Sequence, residues 1–564
     1  MRTENVTCIT VRVAMMFCRL ECVRKLRSAS PRGGWRSGCV AVLLCVATAG
    51  ASYAQTFTSL ASFNGSNGDQ PNTMSLIQGT DGDLYGTTAS TVFKITPQGA
   101  LTRLHQLTYG FFSTAGLVQA SDGNFYGTTE EGGPHNGGTI FKLTPSGVLT
   151  TLHSFCAEPN CGDGEQLDGG LVQATDGNLY GTTQLGGAKS VGTVFKITLD
   201  GKLTTLYSFC AEAGCTDGSY PNAALVQASD GNLYGTTITT VFKLSLTGQL
   251  TTIHRFDGSG AIFNGLIQAD DGNFYGTIVS GGPHNDGSVV RMTPSGVLST
   301  VYTFCSLLVH GGCPDGIAPY GALIQAQDGD LYGTTQEGGA NNNGTIFKVT
   351  LAGKLATLHA FCNKPSCDDG DRPYGGLVQA TNGTFYGTTW GGGTDDFGTV
   401  FSLSEDASPF VQPRPGSATE GSQIWILGQD FSSSSVVRFG GTQAITTALT
   451  GTTFISATVP VDALTGPVSV STGNVTLTNA RRFKVLPTIT SIPSHGSVGS
   501  LVAIDGTGLA QTTKVMFGGA EATDFTVNSD TKITANVPAA AKTGKIAVTT
   551  TGGTANSQMS FTVN

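Results

Sequence analysis

The tetrapeptide Tyr-Gly-Thr-Thr, once in the form Tyr-Gly-Thr-Ile, occurs seven times, at Tyr85, Tyr126, Tyr180, Tyr234, Tyr275, Tyr332 and Tyr386. The intervals are 41, 54, 54, 41, 57 and 54 residues. A unit of about 40 residues that is sometimes lengthened marks a propeller or a solenoid. The second copy shows the content of one unit. Gly116 to Ala120 precedes an Asp122-Gly123 turn, and Asn124 to Thr129 follows. After a polar loop come Thr139 to Thr144, the turn Pro145-Ser146-Gly147, and Leu149 to Phe155. These four short runs, rich in β-branched and aromatic residues and parted by turn residues, predict four antiparallel strands. No window holds a 3.6-residue period. The expected fold class is all-β, with a seven-bladed β-propeller.

The ends of the repeat region predict a closed ring. Thr56 to Phe63 resembles the fourth run of a unit, whereas the seventh unit stops at its third, Thr399 to Ser404. Residues 56–63 are therefore expected to complete blade seven, which removes the free sheet edges of an open array. That closure puts the N-terminal strand outermost and the Leu-Val-Gln-Ala run on the central channel. Two connections in each unit are tight turns. The other two, after the second and fourth runs, hold all the length variation and share one face. Variable loops on a rigid scaffold are where binding is expected.

Residues 1–54 read as a secretory signal with an overlong basic front, starting at Met1, Met15 or Met16. Arg2 to Arg36 supplies the bases, Cys39 to Gly50 the apolar run, and Ser52-Tyr53-Ala54 the cleavage site. The run is too short to span a bilayer as a helix, so no membrane span is expected. Removing this segment takes away eight of the 30 basic and two of the 39 acidic residues. The 22 and 37 that remain give a net charge of −15, which argues against a nucleic-acid partner. Eight of the 13 cysteines remain as four close pairs, Cys156/Cys161, Cys210/Cys215, Cys305/Cys313 and Cys362/Cys367. Even number, local pairing and export predict disulfides; a zinc site would need four ligands at one point.

Beyond a proline-rich linker at Pro409, Pro413 and Pro415, two stretches of similar pattern follow, at 406–486 and 487–564. The first has Gly421 to Phe431, Phe439-Gly440-Gly441 and Val459-Pro460; the second has Gly499 to Leu509, Phe517-Gly518-Gly519 and Val537-Pro538. Alternating strands of this length predict small β-sandwiches. The order of motifs resembles the IPT/TIG immunoglobulin-like domains, which implies spacers or interaction modules. The repeat over 55–405 resembles the GloVer, or Gloeo/Verruco, repeats, through Leu-Val-Gln-Ala-x-Asp-Gly-Asn-Leu/Phe-Tyr-Gly-Thr-Thr and Gly-Thr-Val/Ile-Phe-Lys. That resemblance implies a surface or secreted protein.

Residues present in every unit read as scaffold: the seven tyrosines, and His105, His153, His254 and His359, whose position is taken by Tyr207 and Tyr302 elsewhere. Asp163, Asp217, Asp315 and Asp369 follow the cysteine pairs. They are weak calcium candidates as an acidic ring at the channel mouth, set against an ordinary loop-turn reading. No other cofactor is expected. The non-repeating residues of the variable face are the better ligand candidates: Glu130, Glu131, His135, His284, Asp286, Glu337, Trp390, Asp395 and Asp396. No nucleophile elbow, zincin helix or phosphate loop is present. The expected role is a non-catalytic secreted or cell-surface binding protein, with a glycan or an extracellular protein as partner. The alternatives are a secreted carbohydrate-active enzyme using acids at the channel mouth and a purely structural surface-layer component.

Overall fold

The computed structural model describes residues 55–71, 75–107, 115–256, 263–281, 285–306 and 312–564, with backbone alone at 263, 264 and 447. The expected signal segment and His284 lie outside the described residues. Seven four-stranded antiparallel sheets follow one another along 56–404 and form the propeller blades. In blade two the strands are Val118–Gln119, Phe125–Thr129, Thr139–Leu143 and Leu149–Ser154, paired in that order. Blade seven contains Val378–Gln379, Phe385–Thr389 and Thr399–Ser404, and its outer strand is Thr56–Ser62. Thr56 faces Ser404 and Ser62 faces Thr399. The propeller is all-β, as the repeat predicts.

The apolar residues do not gather in one centre. They form seven clusters, each between two neighbouring blades, and the last joins Tyr386 of blade seven to Leu84 and Phe93 of blade one. The repeated tyrosine supplies the contact. In blades one and six its ring stacks on a phenylalanine one blade further on, at 4.1 Å for Tyr85–Phe125 and 4.3 Å for Tyr332–Phe385. The glycine after it is obligatory for a steric reason: a Cβ at Gly127 would stand 2.5 Å from the Phe141 ring. The second threonine ties the loop, with Thr129 Oγ1 2.8 Å from Thr139 Oγ1. In blade five Ile278 takes that place and Ser288 faces it.

The plain face is joined by side-chain clasps. The glutamine ending each first strand accepts, through its Oε1, the backbone N–H just before the Asp-Gly or Asn-Gly turn of the preceding blade. This occurs seven times at 2.8–3.0 Å, and Gln78 closes the circle on Thr381. The turn aspartates are engaged as well. Asp122 accepts the Tyr126 hydroxyl at 2.8 Å and Lys142 Nζ at 2.8 Å. Burial alone would raise the Asp122 pKa, but the hydrogen bonds from Lys142, Asn124 and Tyr126 hold it below the usual value.

Residues 409–564 form two sandwiches of the immunoglobulin kind. In the first, strands Gln412–Arg414, Gln423–Leu427, Phe454–Thr458 and Ile445–Thr450 make one sheet. Thr442–Gln443, Val436–Phe439, Val468–Thr472 and Val475–Thr478 make the other. The second sandwich has sheets of four and five strands. Each has its own buried core. The first sandwich sits on the plain face of the propeller. Phe410 N–H donates to Thr381 O at 2.9 Å, Arg414 Nη1 to Gln78 O at 2.8 Å, Thr453 Oγ1 to Thr80 O at 2.8 Å, and Ala480 N–H to Gln327 Oε1 at 2.8 Å. No helix among the described residues is long and apolar enough to cross a membrane.

Candidate functional site

The opposite, elaborated mouth is built from two residue positions per blade: the residue after the second strand, and one in the loop that leads into the first. At blades six and seven three of these four positions hold aromatic groups, and the fourth holds Gln336. The loop of blade seven carries Arg372 and Tyr374, and Trp390 follows that blade's second strand Phe385–Thr389. The Arg372 guanidinium lies over the Trp390 indole at 5.2 Å, and Tyr374 meets Trp390 edge-on at 6.3 Å. Tyr320, the blade-six counterpart of Tyr374, lies 5.5 Å from it. Gln336 Nε2 donates to the Tyr374 hydroxyl oxygen. Trp390, Tyr374 and Tyr320 are half-buried and Arg372 is exposed, so the cluster is anchored below and open above. Burial raises the Tyr374 pKa.

Where blades two and three meet, one position from each holds an acid. Glu130 follows the strand Phe125–Thr129, and Asp168 lies in the loop leading to blade three. Burial raises the Glu130 carboxyl above its ordinary pKa, and the nearby Asp168 and Glu131 charges raise it further. Burial likewise raises Asp168, which accepts a hydrogen bond from Gln184 Nε2 at 2.5 Å.

The remaining candidates do not converge. His135 and Glu337 are exposed on separate loops and Asp395 and Asp396 on a third, where Asp396 accepts the Gly392 N–H at 2.8 Å within its own turn. Asp286 lies beside Cys305 and Cys313, whose sulfurs are joined to one another. All four cysteine pairs form local disulfides, Cys156–Cys161, Cys210–Cys215, Cys305–Cys313 and Cys362–Cys367.

The weak calcium candidates Asp163, Asp217, Asp315 and Asp369 each have a protein partner at the blade rim. All four are buried, and they bind the outermost strand of the blade rather than ringing the channel. Asp163 Oδ2 is 3.0 Å from His153 Nε2 and Asp369 Oδ2 is 3.1 Å from His359 Nε2. Asp217 accepts the Tyr207 hydroxyl at 2.7 Å and Asp315 that of Tyr302 at 2.8 Å. The N–H groups of Ala211 and Asn363 fill further lone pairs of Asp217 and Asp369. The cysteine loop leaves from the fourth strand, so an aspartate just after it is held at the rim. Blades one and four lack the cysteine loop. There His105 Nδ1 and His254 Nδ1 reach Gly147 O at 3.3 Å and Gly296 O at 3.0 Å, each in the next blade.

The profile of the Gloeobacter/Verrucomicrobia repeat matches residues 47–160, 88–261 and 238–412. The chain belongs to this repeat family. In this Gloeobacter/Verrucomicrobia repeat protein the IPT/TIG domain profile also matches twice, at 410–484 and 487–563. No curated protein matches it in sequence. Among solved structures, a streptogramin B lyase is 17% identical over 62% of this chain and 97% of its own, with a TM-score of 0.45. The extracellular domain of a B. thetaiotaomicron protein assigned as a hybrid two component system is 11% identical, over 88% of this chain and 65% of its own, at 0.43. A gluconolactonase from Xanthomonas campestris is 12% identical, over 62% and 89%, at 0.32.

In the sequence of this repeat protein Trp390 and Glu130 stand out as non-repeating residues, whereas Arg372, Tyr374, Tyr320 and Asp168 do not. The missing signal was available. Asp168, Tyr320 and Tyr374 each stand three residues before the leucine that begins a Leu-Val/Ile-Gln-Ala run.

Proposed function

We propose that the protein is an exported binding protein of the cell surface or its surroundings, and that the elaborated propeller mouth holds a glycan. The observation behind this reading is the cluster of Trp390, Tyr374 and Tyr320 with Arg372 and Gln336. Half-buried rings present an apolar face at fixed orientation, and a pyranose presents a face of C–H bonds that fits one. Guanidinium and amide donors at the edge then meet hydroxyls or a carboxylate of the sugar. The seven inter-blade cores keep this platform rigid, which lowers the entropy lost on binding. The test is a glycan array probed with the full chain and with Trp390→Ala. Retention of at least one glycan by the wild type, weakened about tenfold or more in the variant, is the expected result. Absence of any glycan binding overturns the reading and leaves an extracellular protein as the partner.

A second reading follows from Glu130 and Asp168, two neighbouring carboxyls that are both raised. Such pairs serve as acid and base in glycan cleavage. If the mouth acts in this way, oligosaccharide incubated with the protein gains new chain ends, and Glu130→Gln abolishes the gain.

A further inference from the structure

Where the first sandwich seats on the plain mouth of the channel it does not fill it. A chamber of about 620 Å³ remains, walled by channel residues of the propeller and roofed by Arg414, Arg481, Arg482 and Lys484 of the sandwich. The glutamines on the wall are engaged with neighbouring turns, as described above, so the roof provides the free polar groups. One acid, Asp270, lines the chamber against four cations, and it is paired with Arg481 at 3.3 Å. Arg414 donates to two neutral oxygens, Gln78 O at 2.8 Å and Gln412 Oε1 at 2.9 Å. The side chains of Lys484 and Arg482 have no hydrogen-bond or ion-pair partner among the described residues. Burial pulls Arg414 down to about 10. Burial also lowers Lys484; Asp270 opposes that shift and Arg481 reinforces it.

Gathering desolvated positive charge in one cavity is unfavourable unless something negative enters. The charge of the whole chain makes the gathering more pointed, since it is formally −9. We propose that this chamber is a binding site for a small, multiply charged oxyanion, a polycarboxylate or a phosphate. Arginine forks grip two oxygens of either group at once, and a lysine adds a point charge. The volume lies within the usual range for small-ligand sites, about 300–1,000 Å³. The site is independent of the glycan platform at the opposite mouth.

The test is calorimetric titration of the full chain with citrate, with inorganic phosphate, and with uncharged glycerol at matched ionic strength. At least one anion is expected to bind where glycerol does not. A stronger response to citrate assigns carboxylate chemistry and a stronger response to phosphate assigns phosphate chemistry. The pair Arg482→Gln with Lys484→Gln is expected to weaken binding about tenfold or more. Arg482→Gln alone, at an exposed position without a hydrogen-bond or ion-pair partner among the described residues, should weaken it in part while leaving the melting curve unchanged, which separates lost binding from lost fold. Failure of both anions to bind at ~10 mM, far weaker than a built site would give, overturns the proposal. So does undiminished binding by folded variants.

Discussion

The two mouths of the propeller channel follow opposite rules. On the plain face every blade repeats the same solution: the glutamine clasp at each junction, and the tyrosine hydroxyl on a turn carboxylate in six of the seven blades. On the elaborated face the same positions change chemistry around the ring, and each blade boundary carries its own kind of pair, two tyrosines at Tyr320 and Tyr374 and two acids at Glu130 and Asp168. Repetition marks groups whose partners lie within the protein. Variation marks groups free to be selected for something outside it. The plain face breaks its own rule where the sandwich lands. The residue before the Asp-Gly or Asn-Gly turn is Ser or Thr in five blades, but it is Asp270 in blade five and Gln327 in blade six. Both touch the first sandwich, at Arg481 and Ala480.

The sharpest way to break this comparison is to cut a repeated residue. Tyr180→Ala removes a fully buried ring from the core between blades three and four and leaves the Asp176 carboxylate without its hydroxyl donor. A loss of about 3–5 kcal/mol is expected in urea denaturation. Trp390→Ala, at a non-repeated position, should change the same measurement far less while altering ligand binding. Equal losses from the two would dissolve the distinction between scaffold and site. Next in size is the disulfide of a variable loop. Cys210→Ser with Cys215→Ser opens a link between residues whose Cα atoms are 4.0 Å apart. Closing so small a loop contributes roughly 2 kcal/mol, and the variant should unfold at correspondingly lower urea. Peptide mass mapping of the wild type should recover the four local pairs.

Much of this was legible because it recurs. A strand pattern seen seven times fixes the blade, a fragment at 56–63 that matches a missing strand predicts closure, and cysteines five or eight residues apart have obvious partners. What stayed hidden depends on the third dimension. Asp163 and its siblings resemble surface acids in sequence, and only the outer position of the fourth strand turns them inward onto His153 or Tyr207. Apart from Phe410 on Thr381, the docking of the sandwich joins residues far apart in the chain, Ala480 to Gln327 over 153 positions and Thr453 to Thr80 over 373. No local pattern encodes such contacts. Their traces are the substitutions Asp270 and Gln327, and a basic run, Arg481-Arg482-Phe483-Lys484, in a chain poor in charge.

The junction of the two sandwiches supplies a subtler test. Glu420 of the first lies against Asp530 of the second. Burial raises the Glu420 pKa first and Asp530 raises it further, up to about 7. The folded state therefore holds a proton that the unfolded chain, near 4.5, releases. This contribution is most favourable below the unfolded value and is lost as pH rises through about 7. Melting temperature should fall between pH 5.5 and 8 in the wild type. The fall should flatten in Glu420→Gln, whose amide keeps the shape. An unchanged slope in the variant would place the titration elsewhere.

The smallest expected effect returns to the elaborated mouth, and it asks whether a varied residue there is maintained against stability. Burial raises the folded pKa of Asp168 above its unfolded value, so ionising it at neutral pH disfavours the fold. The contribution vanishes below the unfolded pKa and grows as pH rises through the folded one. Asp168→Asn keeps the oxygen that accepts Gln184 Nε2 and removes the charge. It should therefore raise stability at pH 7, by no more than about 1 kcal/mol once solvent screening of this half-buried group is counted, and leave stability unchanged well below the unfolded value of 3.8. On the plain face the sign reverses. Asp176 is held below its ordinary pKa: burial opposes this, and hydrogen bonds from Asn178 and Tyr180 outweigh it. Asp176→Asn should accordingly destabilise at neutral pH and lose that effect in acid. Opposite signs at two aspartates of the same blade, one repeated and one not, would show that the plain face is tuned for the fold and the elaborated face for a ligand; a common sign would refute that division.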